Sequence, residues 1–355
     1  MTARTSLSDS SHTTRRPTMV DVAALAGVGL KTVSRVVNSE RGVSPELEAR
    51  VRRAIEQLNY RRDANAATLR RLGRKTQTIG LVLEDVSNPF SSALHRAVQD
   101  AARERGVLVF AGSCDEDPER ERELIGSFRE RRVDGLIVVP AGRGDHTYLY
   151  EERRTGTALV FVDRRARHLD ADSVVSDNFG GAVHAVGHLL VRGHRRVGFL
   201  GDLLSISTAQ ERLRGYRHAL EAAGVVVDEA LVCTELRAPN VAAAAVDEML
   251  ALPQPPTAFF TSQNLLTIGG IRALRRARRE REIALIGFDD VSLADLLDPA
   301  ISVVAQDPQA LGRAAADQLF SRLDGDMGPP VNVVVPVTLI ARGSGEIDAP
   351  SPAAS

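Results

Sequence analysis

Residues 18–38 read TMVDVAALAGVGLKTVSRVVN, and their pattern predicts how the N-terminal part of the chain folds. Two short segments with helical apolar spacing, 19–26 and 30–37, lie on either side of a break that contains Gly27. A turn this short folds two helices back across one another, which is the pattern of a helix-turn-helix. Thr18 and Asp21 are placed to cap the first helix and to face the positive end of its dipole.

The second helix leaves Leu30, Lys31, Ser34 and Arg35 outward, a set suited to a nucleic-acid groove. Residues 15–75 contain 14 Lys and Arg against 6 Asp and Glu, whereas residues 76–355 contain 30 against 39. A basic head joined to an acidic body is expected when only one part of a protein meets phosphate. The sequence therefore predicts a nucleic-acid-binding head.

A third helix is predicted after Ser44 and Pro45, within a head that spans 18–60. Residues 61–77 follow with six Lys and Arg and one Asp, and with few large apolar side chains. This composition predicts a linker or a marginal helix. Leu69 stands alone among arginines, and beside a DNA-binding head it is a candidate wedge for the minor groove.

From Ile79 onwards, short apolar runs alternate with amphipathic helices up to about residue 342. This alternation predicts parallel sheets in two comparable α/β half-units. Ligands of such units bind beyond the carboxyl ends of the strands. Those ends carry Asp85, Asp163, Asp289 and Gln306 in this sequence.

The chain of 355 residues is too long for one ordinary domain. We expect a disordered lead-in at 1–17, the head, the linker, a two-lobed body at 78–342 and a disordered tail at 343–355. Cys114 and Cys233 lie far apart without metal-ligand spacing, so we expect no metal, no cofactor and a reduced cytoplasmic setting. The lead-in has no apolar segment that would act as a secretory signal or membrane anchor.

Three other functions compete with DNA binding. An enzyme is disfavoured, because His184 and His188 lack a third zinc ligand and the sequence has no nucleophile elbow or phosphate-binding loop. A plain solute-binding protein would have the body but not the basic head. A three-helix head can also be a protein-interaction module, and a protein partner rather than a small ligand is an alternative controller of the body.

The sequence resembles the lactose-repressor (LacI/GalR) family of bacterial transcription regulators from Thr18 to about Arg342. The matching segments are DVAALAGV, TVSRVVN and AIEQLNY in the head and LEDVSNPF, RVDGLIVVP, FVDRR, GHRRVGFLG, ERLRGY, IALIGFDD and SVVAQD in the body. The resemblance implies a helix-turn-helix head and a periplasmic-binding-protein-like body with two lobes. It also implies a homodimer that binds a near-palindromic operator and responds to a sugar-like effector between the lobes.

The resemblance also assigns residues to these tasks. Leu30, Lys31 and Arg35 match base-reading positions, Thr18, Ser34 and Asn38 match phosphate contacts, and Leu69 matches the minor-groove wedge of a hinge helix. The positions that match effector contacts are Ser87, Asn88, Phe90, Asp163, Arg212, Gln263, Asp289 and Gln306.

The chain departs from the family pattern at three places. Gly29 replaces the usual serine cap of the second helix, which is expected to weaken that helix by a few tenths of a kcal/mol. Arg62 replaces the proline that commonly begins the hinge. Gln263 and Asn264 replace an Asn-Asp pair, so the identity of the effector stays open, as does the sign of its action.

Overall fold

The protein was analysed as a computed structural model, which describes residues 17–38, 40, 42–60, 75–154 and 156–351. The chain divides into two compact units, Met1–Lys75 and Thr76–Ser355. Most of the predicted linker, together with the predicted wedge Leu69, lies outside the described residues.

The head is a bundle of three helices, α1 (Met19–Ala26), α2 (Leu30–Val37) and α3 (Pro45–Gln57). Gly27 ends α1 with φ 60°, a left-handed conformation that glycine adopts without the steric penalty of a Cβ atom. The core of the head consists of small side chains, which allow the helices to approach closely: Val22, Ala23, Ala26, Val33, Val36, Val51 and Ala54. The predicted three-helix head is confirmed.

The body contains two six-stranded sheets. The strands are β1 (Thr78–Leu83), β2 (Leu108–Ser113), β3 (Gly135–Val138), β4 (Ala158–Asp163), β5 (Asp172–Ser176), β6 (Val197–Leu200), β7 (Val232–Cys233), β8 (Ala258–Thr261), β9 (Ala284–Phe288), β10 (Ser302–Ala305), β11 (Asn332–Val335) and β12 (Thr338–Ile340). The order is β11-β5-β4-β3-β1-β2 in the sheet of the first lobe and β12-β10-β9-β8-β6-β7 in that of the second. All neighbouring strands are parallel except β12, which runs antiparallel to β10.

Helices connect these strands as the alternating pattern predicts. They are α4 (Pro89–Glu104), α5 (Pro118–Glu130), α6 (Tyr150–Arg154), α7 (Asn178–Val191), α8 (Ser207–Ala222), α9 (Pro239–Leu250), α10 (Asn264–Arg276) and α11 (Pro308–Leu323). Short 3-10 helices occupy His146–Leu149, Glu229–Leu231, Ala294–Leu296 and Gly343–Gly345. Helix α11 packs against α4 in the core of the first lobe, although it follows a strand of the second lobe.

The chain passes between the lobes three times, after β5, after β10 and after β11. The sequence VNVVVPVTLIA predicts one strand at 331–341, but the structure divides it. Residues before Pro336 pair with β5 of the first lobe, and residues after Val337 pair with β10 of the second. Proline has no N–H to donate to a ladder, which explains why the strand stops there.

The prediction of a disordered tail from residue 343 is wrong for residues 343–351. Ser344 is buried, and its hydroxyl donates to the carbonyl of Leu285 at 2.6 Å. The His194 ring lies 2.9 Å from the carbonyl oxygen of Ile347, and Arg192 forms an ion pair with Glu346. The Pro/Ala/Ser composition hid these contacts, because each depends on a partner far away in the sequence.

Candidate DNA-binding and effector sites

The first turn of α1 is fixed by a reciprocal cap. The hydroxyl of Thr18 accepts from the N–H of Asp21 at 3.4 Å, and the Asp21 carboxylate accepts from the N–H of Thr18 at 2.7 Å. The negative charge of Asp21 also lies at the positive end of the helix dipole. The predicted capping of this helix by Thr18 and Asp21 is confirmed.

Helix α2 presents the three residues that the sequence assigns to base reading. Leu30 is 40% exposed, Lys31 is exposed and Arg35 is half-buried. Among the described residues, the side chains of Lys31 and Arg35 have no hydrogen-bond or ion-pair partner, so their donors are available to an acceptor outside the head. Lysine and arginine of this kind can donate to guanine O6 and N7, whereas leucine can contact a thymine methyl group.

The turn between α1 and α2 is stabilised from α3. The guanidinium of Arg50 donates to the carbonyl oxygens of Ala26 at 2.6 Å and Gly27 at 3.2 Å. A cation at the C-terminus of a helix neutralises the negative end of its dipole. Gly29 precedes α2 and gives it no side-chain cap, so the position of α2 depends on packing and on this turn.

The three predicted phosphate contacts are not equally available. The hydroxyl proton of Thr18 is donated to Asp21 at 2.6 Å, so Thr18 must break this bond before it can donate to a phosphate. Asn38 donates to the hydroxyl of Ser34 at 3.3 Å and approaches Glu40 at 3.5 Å. The hydroxyl proton of Ser34 stays free to be donated.

In the body, two aspartates occupy matching places in the two lobes. Asp163 ends β4 in the first lobe, and Asp289 directly follows β9 in the second. Their φ angles are 68° and 69°, a left-handed conformation that is rare for residues other than glycine. Such strain concentrates at functional sites, where the surrounding structure holds it in place.

Asp289 belongs to a polar cluster on the second lobe. Gln306 donates to the Asp289 carboxylate at 2.5 Å, and Arg212 lies 3.7 Å from its other oxygen. Arg212 is held from three sides, since it donates to Asn178 at 2.8 Å and to the Ser262 carbonyl at 2.6 Å and lies 3.8 Å from the ring centroid of Phe288. The structure thus brings together three of the predicted effector residues.

Arg164 forms the corresponding cluster on the first lobe. Its guanidinium contacts Glu116, lies 3.3 Å from Asp163 and lies 3.4 Å from Glu84. The side chain of Arg164 is only 6% exposed, so these contacts replace its water shell. Sequence reasoning missed Arg164, and its position directly after Asp163 in FVDRR was the available signal.

Burial raises the pKa values of three carboxyl groups near Arg164, those of Glu84, Asp163 and Asp202. Desolvation is the largest cause for Glu84, and it raises the pKa of that group to about 7, with Glu116 and Asp202 adding like-charge repulsion. Desolvation also raises the pKa of Asp163 and of Asp202, against the attraction of Arg164. Carboxyl groups with raised pKa values in a cleft are typical of binding sites.

Among the described residues, two polar contacts join the lobes across the cleft. Asn264 donates to the side-chain oxygen of Asn88 at 2.9 Å, and Arg237 lies 3.5 Å from Glu84. Gln263 instead donates to Asp202 at 2.9 Å and caps α10. The two residues that replace the usual Asn-Asp pair therefore have different contacts. Gln263 binds within the second lobe, and Asn264 reaches the first lobe.

Two predicted effector residues lie apart from the charged clusters. The hydroxyl of exposed Ser87 donates to Asp85 at 2.7 Å, which closes a local turn. Phe90 follows the N-cap residue Asn88 in α4 and packs against the core of the first lobe. Neither side chain contacts Asp163, Arg212 or Asp289 in this structure.

The described residues contain no group of three or more His, Cys, Asp and Glu side chains arranged to hold a metal ion. In the same part of the chain, no helix has the length and apolar character needed to cross a membrane.

Two family models match the two parts of the chain. The model for bacterial regulatory proteins of the lacI family matches residues 18–63, and the model for periplasmic binding protein-like domains matches residues 186–345. The ribose operon repressor of Escherichia coli K12 is 31% identical over 329 residues, which cover 92% of this chain and 99% of the repressor. The chain belongs to the lacI family of bacterial regulatory proteins. The resemblance drawn from the sequence is confirmed.

Solved structures of lacI-family proteins agree with the fold. The transcriptional regulator CelR in complex with cellobiose is 31% identical with a TM-score of 0.70, and the match covers 93% of this chain and 100% of CelR. The lac repressor dimer bound to operator and an anti-inducer is 25% identical with a TM-score of 0.79, and the match covers 93% and 99%. This lacI-family member is thus a helix-turn-helix transcriptional regulator with a two-lobed body.

Proposed function

We propose that this regulator represses transcription by binding a near-palindromic operator as a homodimer, and that a sugar-like effector between the lobes controls this binding. One observation carries the proposal: a single chain joins a helix-turn-helix head to a two-lobed body whose facing strand ends hold polar clusters. The protein acts as a binding switch rather than as an enzyme. Because its target is chromosomal DNA, its place of action is the cytoplasm.

Operator recognition is assigned to α2. Lys31 and Arg35 donate to guanine in the major groove, and Leu30 contacts a thymine methyl group. Thr18, Ser34 and Asn38 bind phosphates, which fix the orientation of the head without reading bases. Leu69 enters the minor groove between half-sites as the wedge of a hinge helix. Phosphate neutralisation makes the affinity fall steeply with salt.

Exposed apolar side chains on both lobes support the homodimer. Strand β2 is an edge strand, and its Leu108 and Phe110 are 68% and 39% exposed. In the second lobe, Leu293 and Leu296 are 66% and 73% exposed. Apolar groups clustered on an edge strand favour association, which here would cover them with a second copy of the chain.

The chemistry of the clusters supports a polyhydroxylated effector. Asp163 and Asp289 accept from hydroxyl groups, Gln306 both donates and accepts, and Arg212 donates in a fixed orientation. The repressor of the ribose operon and the CelR–cellobiose complex among its relatives point to the same class of ligand.

A selection experiment tests the proposal directly. Genomic fragments that bind the full chain are recovered and sequenced, and mobility-shift titrations then measure binding to the selected site with and without each member of a sugar panel. We expect a near-palindromic site and at least one sugar that changes its affinity, release being the expected sign. Arg35→Ala should weaken binding to the selected site, whereas Arg52→Ala, which removes an exposed arginine of α3, should change it little. A selected site without two-fold symmetry would contradict the proposed dimer.

A further inference from the structure

A cavity opens beside the effector clusters. It encloses about 170 Å³ between the first lobe and the start of α8 in the second lobe. The first lobe contributes Arg164, Arg165 and Arg167, and the second contributes Ser205, Ser207 and Gln210. None of the residues that line it is acidic. The lining is basic and neutral, whereas the adjoining cluster around Arg164 contains the carboxylates of Glu84, Glu116 and Asp163.

The three arginines of this cavity differ in whether a carboxylate balances their charge. The charge of Arg164 is balanced by its carboxylate partners in the first lobe. Exposed Arg165 has no ion-pair partner among the described residues, and the guanidinium of Arg167 donates to a neutral acceptor, the carbonyl of Gly142 at 3.3 Å. Two cations therefore face the cavity without a counter-charge from the described part of the chain.

The other walls add hydrogen-bond donors. Helix α8, 16 residues long, begins here after Ile206 without a side-chain cap, so its dipole and first N–H groups face the cavity mouth. The hydroxyl oxygen of Ser205 and Nε2 of His146 are buried, and neither has a hydrogen-bond partner among the described residues. His146 is 1% exposed, and its Nε2 lies 3.4 Å from Glu121 without a hydrogen bond. Its Nδ1 accepts from the N–H of Arg167, which holds the ring beside the cavity wall.

We propose that this cavity binds a phosphate group of the effector, whose polyhydroxylated part lies in the adjoining cleft. Arg164 connects the two places, since it lines the cavity and contacts Asp163. Two guanidinium groups without a counter-charge, a helix N-terminus and the unpaired hydroxyl of Ser205 together match the several acceptor oxygens of a phosphate monoester. The inference rests on the proposed function, because it specifies the chemical class of the same effector.

Isothermal titration of the full chain with matched probes tests this assignment. The probes are ribose and ribose 5-phosphate, glucose and glucose 6-phosphate, and inorganic phosphate alone. We expect a sugar phosphate to bind at least about tenfold more tightly than its parent sugar, which is the scale of one charge-assisted hydrogen bond. Binding of inorganic phosphate alone, with no gain for either sugar phosphate, would show a free-anion site and overturn the link to the effector.

Charge-removing variants locate the phosphate. The double variant Arg165→Gln/Arg167→Gln should lose the phosphate-dependent gain and keep the affinity for the neutral sugar. Arg272→Gln is the matched control, because it removes an exposed arginine of α10 that does not line the cavity. Retention of the gain in the double variant would place the phosphate elsewhere and overturn the proposal. Operator release by a neutral sugar, with no gain from phosphate, would reject this inference and leave the proposed function standing.

Discussion

Replacing Glu84 by glutamine is expected to remove a pH-dependent loss of stability in the body. Glu84 directly follows β1, and its side chain is 25% exposed. Burial is the main reason why its pKa rises from 4.5 to about 7, and the nearby carboxylates Glu116 and Asp202 add to the shift. Arg164 opposes the shift without cancelling it, because Arg164 is shared with Glu116 and Asp163.

Proton linkage sets the sign of this effect. The Glu84 carboxyl has a higher pKa in the folded chain, so the folded state binds the proton more tightly than the unfolded state does. Its contribution to stability is fully present below pH 4.5 and is lost as the pH rises through about 7. Between roughly pH 5.5 and 8, this group alone removes about 2 kcal/mol from the free energy of unfolding.

Denaturant unfolding of the full chain, followed by near-UV circular dichroism at several pH values, measures this contribution. The signal reports the packed aromatic side chains of the body, such as Tyr216 and Phe199. The difference between Glu84→Gln and the wild type should change by about 2 kcal/mol across this pH range. Glu123→Gln, at an exposed position of α5, serves as the matched control and should follow the wild type. Parallel curves for Glu84→Gln and the wild type would contradict a raised pKa of Glu84 in the folded chain.

Four further predictions concern the head, the lobes and the cleft. Arg35→Ala should weaken specific operator binding by about 1–3 kcal/mol in a mobility-shift titration while non-specific binding changes little. Phe110→Asp should shift the proposed dimer towards monomer in sedimentation, because it places a charge on the exposed face of β2. Gly215→Ala should destabilise the second lobe by about 1–3 kcal/mol in calorimetry, since its Cβ would lie 2.5 Å from the carbonyl oxygen of Phe179. Asp289→Asn should weaken effector binding about tenfold in calorimetric titration and leave operator affinity unchanged.

The sequence predicted most of the fold because the signals are local. A capping residue, a glycine at a helix end and short apolar runs each specify an element without knowledge of the rest of the chain. The division of 331–341 between two lobes was missed, because β-propensity continues across Pro336 and only sheet pairing shows where each half belongs. The contacts of the C-terminal residues were missed for the same reason, since Ser344 and Ile347 bind partners far away in the sequence.

The site was predictable only in part. Asp163, Asp289 and Gln306 stand at strand ends, and the strand pattern alone places them at the edge where ligands bind. Arg164 and Glu84 were missed, because a charged residue beside a strand end is usually solvated and its burial follows from three-dimensional packing. The amide of Gln263 caps α10 and binds Asp202, and its residue type alone does not reveal these contacts.

Asn88 offers a physical route from the cleft to the proposed dimer surface. Its side-chain oxygen accepts from Asn264 of the second lobe and also from the N–H of Phe90, where it caps α4. A change in the angle between the lobes therefore acts on the N-terminus of α4. Helix α4 packs against α11 and neighbours the edge strand β2, which carries the exposed Phe110. Because packed cores shift between discrete arrangements rather than deform continuously, we expect a small rotation at Asn264 to reach the β2 edge as a displacement of the whole helix.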